Sequence, residues 1–403
     1  MSKQPLGIYV HIPFCVKKCA YCDFLSGPHT EQIKTEYIEA LQTEIRCYKD
    51  LKEKYQVVSI FFGGGTPSCL KESQITEVLD TIYQTFDIDK KKVINGKQDI
   101  EITIEANPGT LSEEKLKAYQ LAGVNRLSIG LQSANNKELK LLGRIHTYEE
   151  FLNNYQLARK AGFTNINVDL MSALPGQSKE SYEDTLKKVL SLAPTHISAY
   201  SLIVEEETPF YEKYGEGKPE ENKLPGEELD RAMYLRTKEL LKAYGYERYE
   251  ISNYAKKGYA CRHNSLYWNG TDYIGFGLGA SSYIRPVRYQ NESELDTYLD
   301  CLSEYVDPSI IEEKLQKDRL VLTKENQMEE FMFLGLRLTK GVNLEEFETR
   351  FGMSMHEVYD HVIEKHKKEG LLQICIHENK QYLALTEKGL DVSNYVMADF
   401  LFN

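Results

Sequence analysis

Ile8-Tyr9-Val10-His11-Ile12-Pro13-Phe14-Cys15-Val16-Lys17-Lys18-Cys19-Ala20-Tyr21-Cys22 is a β-rich run that breaks at a proline and opens into three cysteines at C-x3-C-x2-C spacing. Three thiolates in so short a span can grip three corners of an iron–sulfur cube and leave the fourth iron without a protein ligand. An iron with an open position does chemistry, whereas a closed four-cysteine site stores structure or passes electrons. A structural zinc site is the other reading of the same loop. Zinc wants four N or S ligands, and the nearest histidines, His11 and His29, do not complete a set at a suitable spacing. Cys47, Cys69, Cys301 and Cys375 lie scattered and read as ordinary packed thiols.

Outward from that loop, β-rich runs at 8–12, 57–62, 100–105, 126–131, 165–170 and 196–202 alternate with helical patterns. Ile33, Tyr37, Leu41, Ile45 and Tyr48 repeat at helical spacing, as do Ile75, Val78, Leu79, Ile82 and Phe86. Thr110 with Glu113 has the pattern of a capping box, and Gly123 and Gly162 sit where helices should end. Strand, helix, strand with right-handed crossovers gives a parallel sheet, and six twisted units curl into an incomplete (β/α)6 barrel, an α/β fold.

Such a barrel carries its chemistry at the C-terminal ends of its strands. The cysteine loop follows the first strand and Gly63-Gly64-Gly65-Thr66-Pro67 follows the second. Glu105 and Asn107 end the third, Gln132 the fourth, and Asp169, Tyr200 and Ser201 lie near the ends of the fifth and sixth. One rim therefore collects the chemistry-bearing residues. Glycines allow close approach to a small zwitterion, with free C=O and N–H groups for its ends. Glu105 and Asp169 suit an ammonium, a sulfonium or ribose hydroxyls, and Arg144 suits a carboxylate.

A chain of 403 residues fits one large domain and a smaller one. We expect a core over 1–235, an extension over 236–305, and a small winged-helix-like α+β domain over 306–403, with helices at 325–338, 344–350 and 355–369 and β runs at 371–376 and 382–385. Acidic residues outnumber basic ones in that last part, and the net charge of −12 argues against a nucleic-acid partner. Nothing reads as a signal peptide, and no apolar run approaches the ~20 residues of a membrane span, so a cytoplasmic protein with reduced cysteines is expected.

The loop Cys15-Val-Lys-Lys-Cys19-Ala-Tyr21-Cys22 resembles the signature of radical S-adenosylmethionine enzymes, and Gly64-Gly65-Thr66-Pro67 their second motif. The resemblance implies a [4Fe-4S] cluster on Cys15, Cys19 and Cys22. It also implies an S-adenosylmethionine whose amino and carboxylate groups chelate the open iron, with reductive cleavage giving a 5′-deoxyadenosyl radical. Residues 8–14, Ile104-Glu105, Ser128-Ile129-Gly130-Leu131-Gln132, Val168-Asp169-Leu170 and Leu174-Pro175-Gly176 resemble two related groups. One is the oxygen-independent coproporphyrinogen dehydrogenases; the other is the HemW-type heme chaperones. Carried over by motif, Tyr9, Gly64, Gly65, Thr66, Glu105, Gln132, Arg144, Asp169 and Ser201 would line the nucleoside and methionine pocket, with Tyr21 beside the adenine.

Two departures separate these groups. The dehydrogenase has a fourth cysteine two places after the third, where this chain has Phe24, and a long arm before the first strand, where this chain has a few residues. Tyr249-Glu250-Ile251-Ser252-Asn253-Tyr254-Ala255 and Arg262-His263-Asn264-Ser265-Leu266-Tyr267-Trp268 resemble the chaperone branch, in which the His-Asn-x-x-Tyr-Trp element is tied to heme. That resemblance makes His263 the expected axial ligand of a bound heme, with Cys261 a weaker candidate. The implied partners are heme and heme-accepting client proteins, with a homodimer and peripheral membrane contact left open. The function expected is heme delivery to respiratory hemoproteins. Oxidative decarboxylation of coproporphyrinogen III is the alternative, so whether the chain is an enzyme stays open.

Overall fold

Strands that alternate with helices and bury both faces make a parallel sheet, and the computed structural model, which describes residues 3–89, 100–302 and 308–402, contains one. Strands β1 (Gln4–Ile12), β2 (Tyr55–Gly64), β3 (Glu101–Ala106), β4 (Arg126–Gln132), β5 (Asn165–Ser172) and β6 (His196–Ser201) run parallel in sequence order. Among the described residues twelve strands share this sheet. Strand β9 (Tyr273–Phe276) adds parallel to β1. Strands β10 (Ser281–Ile284), β11 (Val287–Asn291) and β12 (Gln316–Val321) continue antiparallel beyond it. At the opposite edge β8 (Asn253–Ala255) and β7 (Glu247–Arg248) follow β6.

Period-two alternation sorts each barrel strand into two sets. Ile8, Val10, Ile60, Phe62, Ile102, Ile104, Leu127, Ile129, Ile166, Val168 and Ile197 belong to one continuous core with the surrounding helices. Fully burying each such side chain contributes about 1.5–3 kcal/mol. Their alternates are mostly polar: Tyr9, Ser59, Glu101, Thr103, Glu105, Arg126, Ser128, Asn167, Asp169, His196 and Ser198. A barrel lined with hydrogen-bonding groups is built to hold something other than hydrocarbon.

The helices start and stop where short-range chemistry dictates. Thr30 accepts from Ile33 N–H at the head of the helix Glu31–Cys47, and Thr147 with Glu150 forms a capping box on Tyr148–Lys160. The box expected from Thr110 and Glu113 is not there. Ser112 caps the helix Glu113–Ala122 instead, while the Thr110 hydroxyl donates to the Asn107 carbonyl at 2.6 Å. Gly123 ends that helix in the left-handed conformation, as expected.

The C-terminal unit comprises helices Lys324–Gly335, Leu344–Phe351 and Met355–Lys368 with the small sheet β13 (Val342–Asn343), β15 (Lys380–Leu385) and β14 (Leu372–His377). Its core, around Phe331, Phe347, Phe351, Tyr359 and Leu383, is separate from that of the barrel. The first of these helices ends three residues before the expected Leu338, because Leu338 pairs in a β-bridge with Glu250. The boundary expected between 305 and 306 lies outside the described residues. Strand β12 belongs to the large sheet, and the residues of the separate C-terminal core lie beyond it. Among the described residues no helix is long and apolar enough to cross a membrane.

Candidate functional site

Pro13 ends the run of β1, and the cysteine loop leaves from there. Its base is closed by Cys15 N–H to Gly27 O (2.9 Å) and Gly27 N–H to Pro13 O (3.0 Å). Its crown is fixed by Ala20, which donates to Leu142 O (3.1 Å) and accepts from Phe210 N–H (3.0 Å). Tyr21 packs edge-on against Phe210, 6.3 Å between ring centroids. The three cysteines are thus carried on a loop tied at four points.

The glycine loop after β2 meets it from the side. Gly64 has φ +105°, and a Cβ there would lie 2.4 Å from the His11 ring; a Cβ on Gly65 would lie 2.7 Å from Phe14 O. Close approach of the two loops, rather than approach of a ligand, demands these glycines. Their N–H groups are also spoken for: Gly64 donates to Glu105 Oε2 (3.3 Å), Gly65 to Ile12 O (2.9 Å) and Thr66 to Phe14 O (2.7 Å). The expectation that free amides here receive a carboxylate is therefore corrected.

A donor for that carboxylate exists elsewhere. Arg144 Nη2 donates to Asn107 Oδ1 (2.7 Å) and to the Gly130 carbonyl (2.5 Å), and Nη1 reaches Cys19 Sγ at 3.5 Å. Its Nε is buried with no hydrogen-bond partner. Asn107 Nδ2 in turn donates to Thr66 Oγ1 (2.7 Å), which lies 3.6 Å from Cys15 Sγ. Two of the three sulfurs thus face hydrogen-bond donors, one of them cationic.

Across the rim stand two acids. Asp169 accepts from Ser128 (3.2 Å) and Asn167 (2.7 Å), and burial still raises its carboxyl above the usual range. Glu105 is pushed up to about 8, by burial first and then by the charge of Asp169. Gln132 Oε1 accepts from Tyr200 OH at 3.1 Å. A cavity of about 350 Å³ joins all these groups to the cysteines. Among the described residues no three His, Cys, Asp or Glu side chains gather closely enough for a single metal ion. A cube takes its thiolates on separate iron corners and does not ask them to converge. The residues fit both implied groups: three cysteines, two of them beside hydrogen-bond donors, suit the cluster, and two acids opposite an unpartnered guanidinium N–H suit a cationic zwitterion.

Of the expected pocket residues, Tyr21, Gly64, Gly65, Thr66, Glu105, Gln132, Arg144 and Asp169 line this cavity with Cys15, Cys19 and Cys22. Tyr9 does not. Its ring stacks on Phe61, its hydroxyl meets His11 Nδ1 at 3.1 Å, and it faces a neighbouring cavity of about 500 Å³. Ser201 is also placed elsewhere, with its hydroxyl on Asp230 Oδ1 at 2.6 Å. The sequence reading assigned no role here to Ser128, Ser198 or Asn253, which line the cavity. Asn253 donates to Glu250 Oε1 (2.7 Å) and leaves its Oδ1 buried without a partner. Its signal was the Tyr249–Ala255 motif, legible as important but not as part of this rim.

His263 is not placed as an axial ligand. It is 1% exposed, with Nδ1 on Ser59 Oγ (2.8 Å), Nε2 on Tyr267 OH (2.8 Å) and its ring stacked on Phe61 at 5.0 Å. Burial, and then the Arg126 charge, push its pKa down to about 3. Both nitrogens are taken, so no lone pair is offered. Cys261 is fully buried against Glu101 and its thiol is pushed up to about 12, chiefly by burial, so it offers no thiolate. Glu101 Oε1 accepts from Arg262 N–H (2.9 Å) and His263 N–H (3.2 Å), which fixes the helix Arg262–Trp268 to the strand starts.

Three cysteines on one loop at the strand ends of a six-unit parallel barrel, facing a pocket for a cationic zwitterion, define a radical S-adenosylmethionine protein. The model of the Radical SAM superfamily matches residues 9–189, and that of the HemN C-terminal domain matches 322–392. The chain is 36% identical to the heme chaperone HemW of Lactococcus lactis over 403 residues, covering 100% of this chain and 99% of that one. It is 37% identical to heme chaperone HemW of Bacillus subtilis, over 98% of each chain. It belongs to the HemW heme chaperone family. Among solved structures, coproporphyrinogen III oxidase HemN from Escherichia coli matches with a TM-score of 0.80 at 24% identity, over 99% of this chain and 90% of that one, a likeness of fold.

Proposed function

We propose that this chain is a cytoplasmic chaperone that binds heme beside its cluster loop and passes it to heme-accepting proteins. Cys15, Cys19 and Cys22 hold the cluster. Gly64, Gly65, Thr66, Glu105, Gln132, Arg144 and Asp169, with Tyr21, hold S-adenosylmethionine. When bound, that pair supplies one-electron reducing chemistry at the rim. The protein's part is to orient: Arg144 holds a carboxylate, Glu105 and Asp169 balance positive charge, and the glycine loop closes the cluster's flank.

The observation that carries this reading is Phe24. It is 60% exposed and lines both the cluster-side cavity and the neighbouring one, whose other walls include Tyr9, Tyr267 and Tyr273. An apolar, planar ligand in the second cavity therefore lies against the cysteine loop, where the dehydrogenases carry a further cysteine. A homodimer and the identity of the clients are part of the same proposal and are tested by sedimentation and by heme transfer to an apo-hemoprotein.

Anaerobically reconstituted protein should take up heme at one equivalent and should form no protoporphyrin from coproporphyrinogen III, S-adenosylmethionine and a reductant. Steady porphyrin turnover would replace the chaperone reading with the dehydrogenase.

A further inference from the structure

The helix Arg262–Trp268 and the C-terminal unit meet over a third cavity of about 330 Å³, which shares Tyr267, Tyr273 and Ser281 with the aromatic cavity beside Phe24. The two adjoin across these three residues, a line of space with one end at the cluster loop and the other at the C-terminal unit. Its far end has an unusual polar inventory. Trp268 Nε1, Tyr283 OH, Arg288 Nε and Arg350 Nε are all buried there without hydrogen-bond partners. Three can act only as donors, and the fourth, the Tyr283 hydroxyl, can act as one. Each donor left unmade costs about 1–3 kcal/mol, so four around one cavity describe a site for an acceptor-rich guest.

The charges say which guest. Arg288 is neutralised by a bidentate pair with Glu330 at 2.6 and 3.0 Å. Arg350 is balanced only at longer range, by Glu330 and Glu346. Its Nη1 reaches the Gly270 carbonyl at 3.3 Å, its guanidinium lies over Phe331 and Phe351, and among the described residues it makes no ion pair. Burial first, and then the nearby charge of Arg285, make its cationic form less comfortable than usual, with Tyr283 and Glu346 offsetting only part of this. Its neighbour is Tyr283, whose phenol favours the cation. The groove therefore offers aromatic walls along its length and a cation with spare donors at one end.

Resting on the chaperone reading, we propose that this end of the groove binds the carboxylate arms of a porphyrin, with Arg350, Tyr283 and Trp268 as their donors and the ring over Tyr267 and Tyr273. Recognition of the tetrapyrrole is then shared between the barrel extension and the C-terminal unit, and the ring edge points back toward Phe24. Specificity comes from the arms, not from an axial histidine at position 263.

The test titrates the full-length, anaerobically reconstituted chain with hemin and with hemin dimethyl ester, followed by the Soret band. The unaltered protein should prefer the diacid by about tenfold or more, the scale of one charge-assisted hydrogen-bond pair. Arg350→Met should abolish that preference while leaving ester binding unchanged. Tyr283→Phe, which removes one hydroxyl and keeps the ring, should narrow it. Circular dichroism and iron content of both variants should match the parent. Equal binding of acid and ester by the unaltered chain, or an undiminished preference in both variants, overturns the proposal while the chaperone reading stands. Failure of the unaltered chain to bind either porphyrin overturns both.

Discussion

Inside one barrel, two groups of polar side chains, one toward the strand ends and one toward the strand starts, are arranged oppositely. Toward the strand ends, Arg144 has a buried N–H without a partner, Asn253 a buried carbonyl without one, and Glu105 a proton it would ordinarily shed. Toward the strand starts, His263 has both nitrogens engaged, Glu101 caps a helix and His196 bridges Asn167 and Tyr249. Both groups are buried and both contain residue types that ligate metals or protons. Apart from Arg126 Nε and Thr103 Oγ1, which are also buried without partners, the difference is residual capacity. A side chain whose bonds are already made holds the fold, and one with bonds to spare awaits a guest.

The comparison breaks first at the cysteines. Cys15, Cys19 and Cys22 replaced together by alanine should bring iron, measured after anaerobic reconstitution, down to background; retained iron would place the cluster elsewhere. Next comes His263→Ala. As a saturated anchor with two hydrogen bonds and a stacked ring, it should cost about 3–4 kcal/mol in urea unfolding, with heme affinity per folded molecule little changed. A variant as stable as the parent that has lost heme would restore the axial-ligand assignment.

Arg144→Met should weaken S-adenosylmethionine binding by about 2 kcal/mol, roughly thirtyfold, in equilibrium dialysis, while the cluster is kept. Unchanged affinity would mean that the unpartnered N–H faces no ligand. The smallest effect concerns pH. Glu105, raised to about 8, is protonated at neutrality, and a bound cation favours its ionised form, so binding releases a proton. Affinity should rise with pH up to about 8 and level off above it, and Glu105→Gln should remove that part of the slope. A parallel profile in the variant would assign the titration to another group.

Much of this was legible in sequence because local chemistry suffices for it. β-rich runs located all six barrel strands, with bounds off by at most four residues, and the strand-end rule pointed to Thr66, Glu105, Gln132 and Asp169, which line one cavity with Arg144. What escaped was whatever depends on partners far along the chain. The aromatic Tyr9 and the hydroxyl of Ser201 sit on the right strands, yet Phe61 with His11 and Asp230 decide where they point. The glycine loop's amides looked available until Ile12, Phe14 and Glu105 claimed them. His263 stood out as a lone histidine in a motif, and only Ser59, 204 positions away, identifies it as an anchor.

The cap that Glu101 places on the helix Arg262–Trp268 has a consequence for how the chain is made. A ribosome delivers that carboxylate 161 residues before the Arg262 amide it receives. Until then the bottom of the half-finished cylinder carries Glu101 and the buried Arg126 with no lid, so a nascent or shortened polypeptide ending before residue 261 is not a smaller working version. Cofactor assembly on such a precursor would begin on a vessel whose floor has not yet been laid.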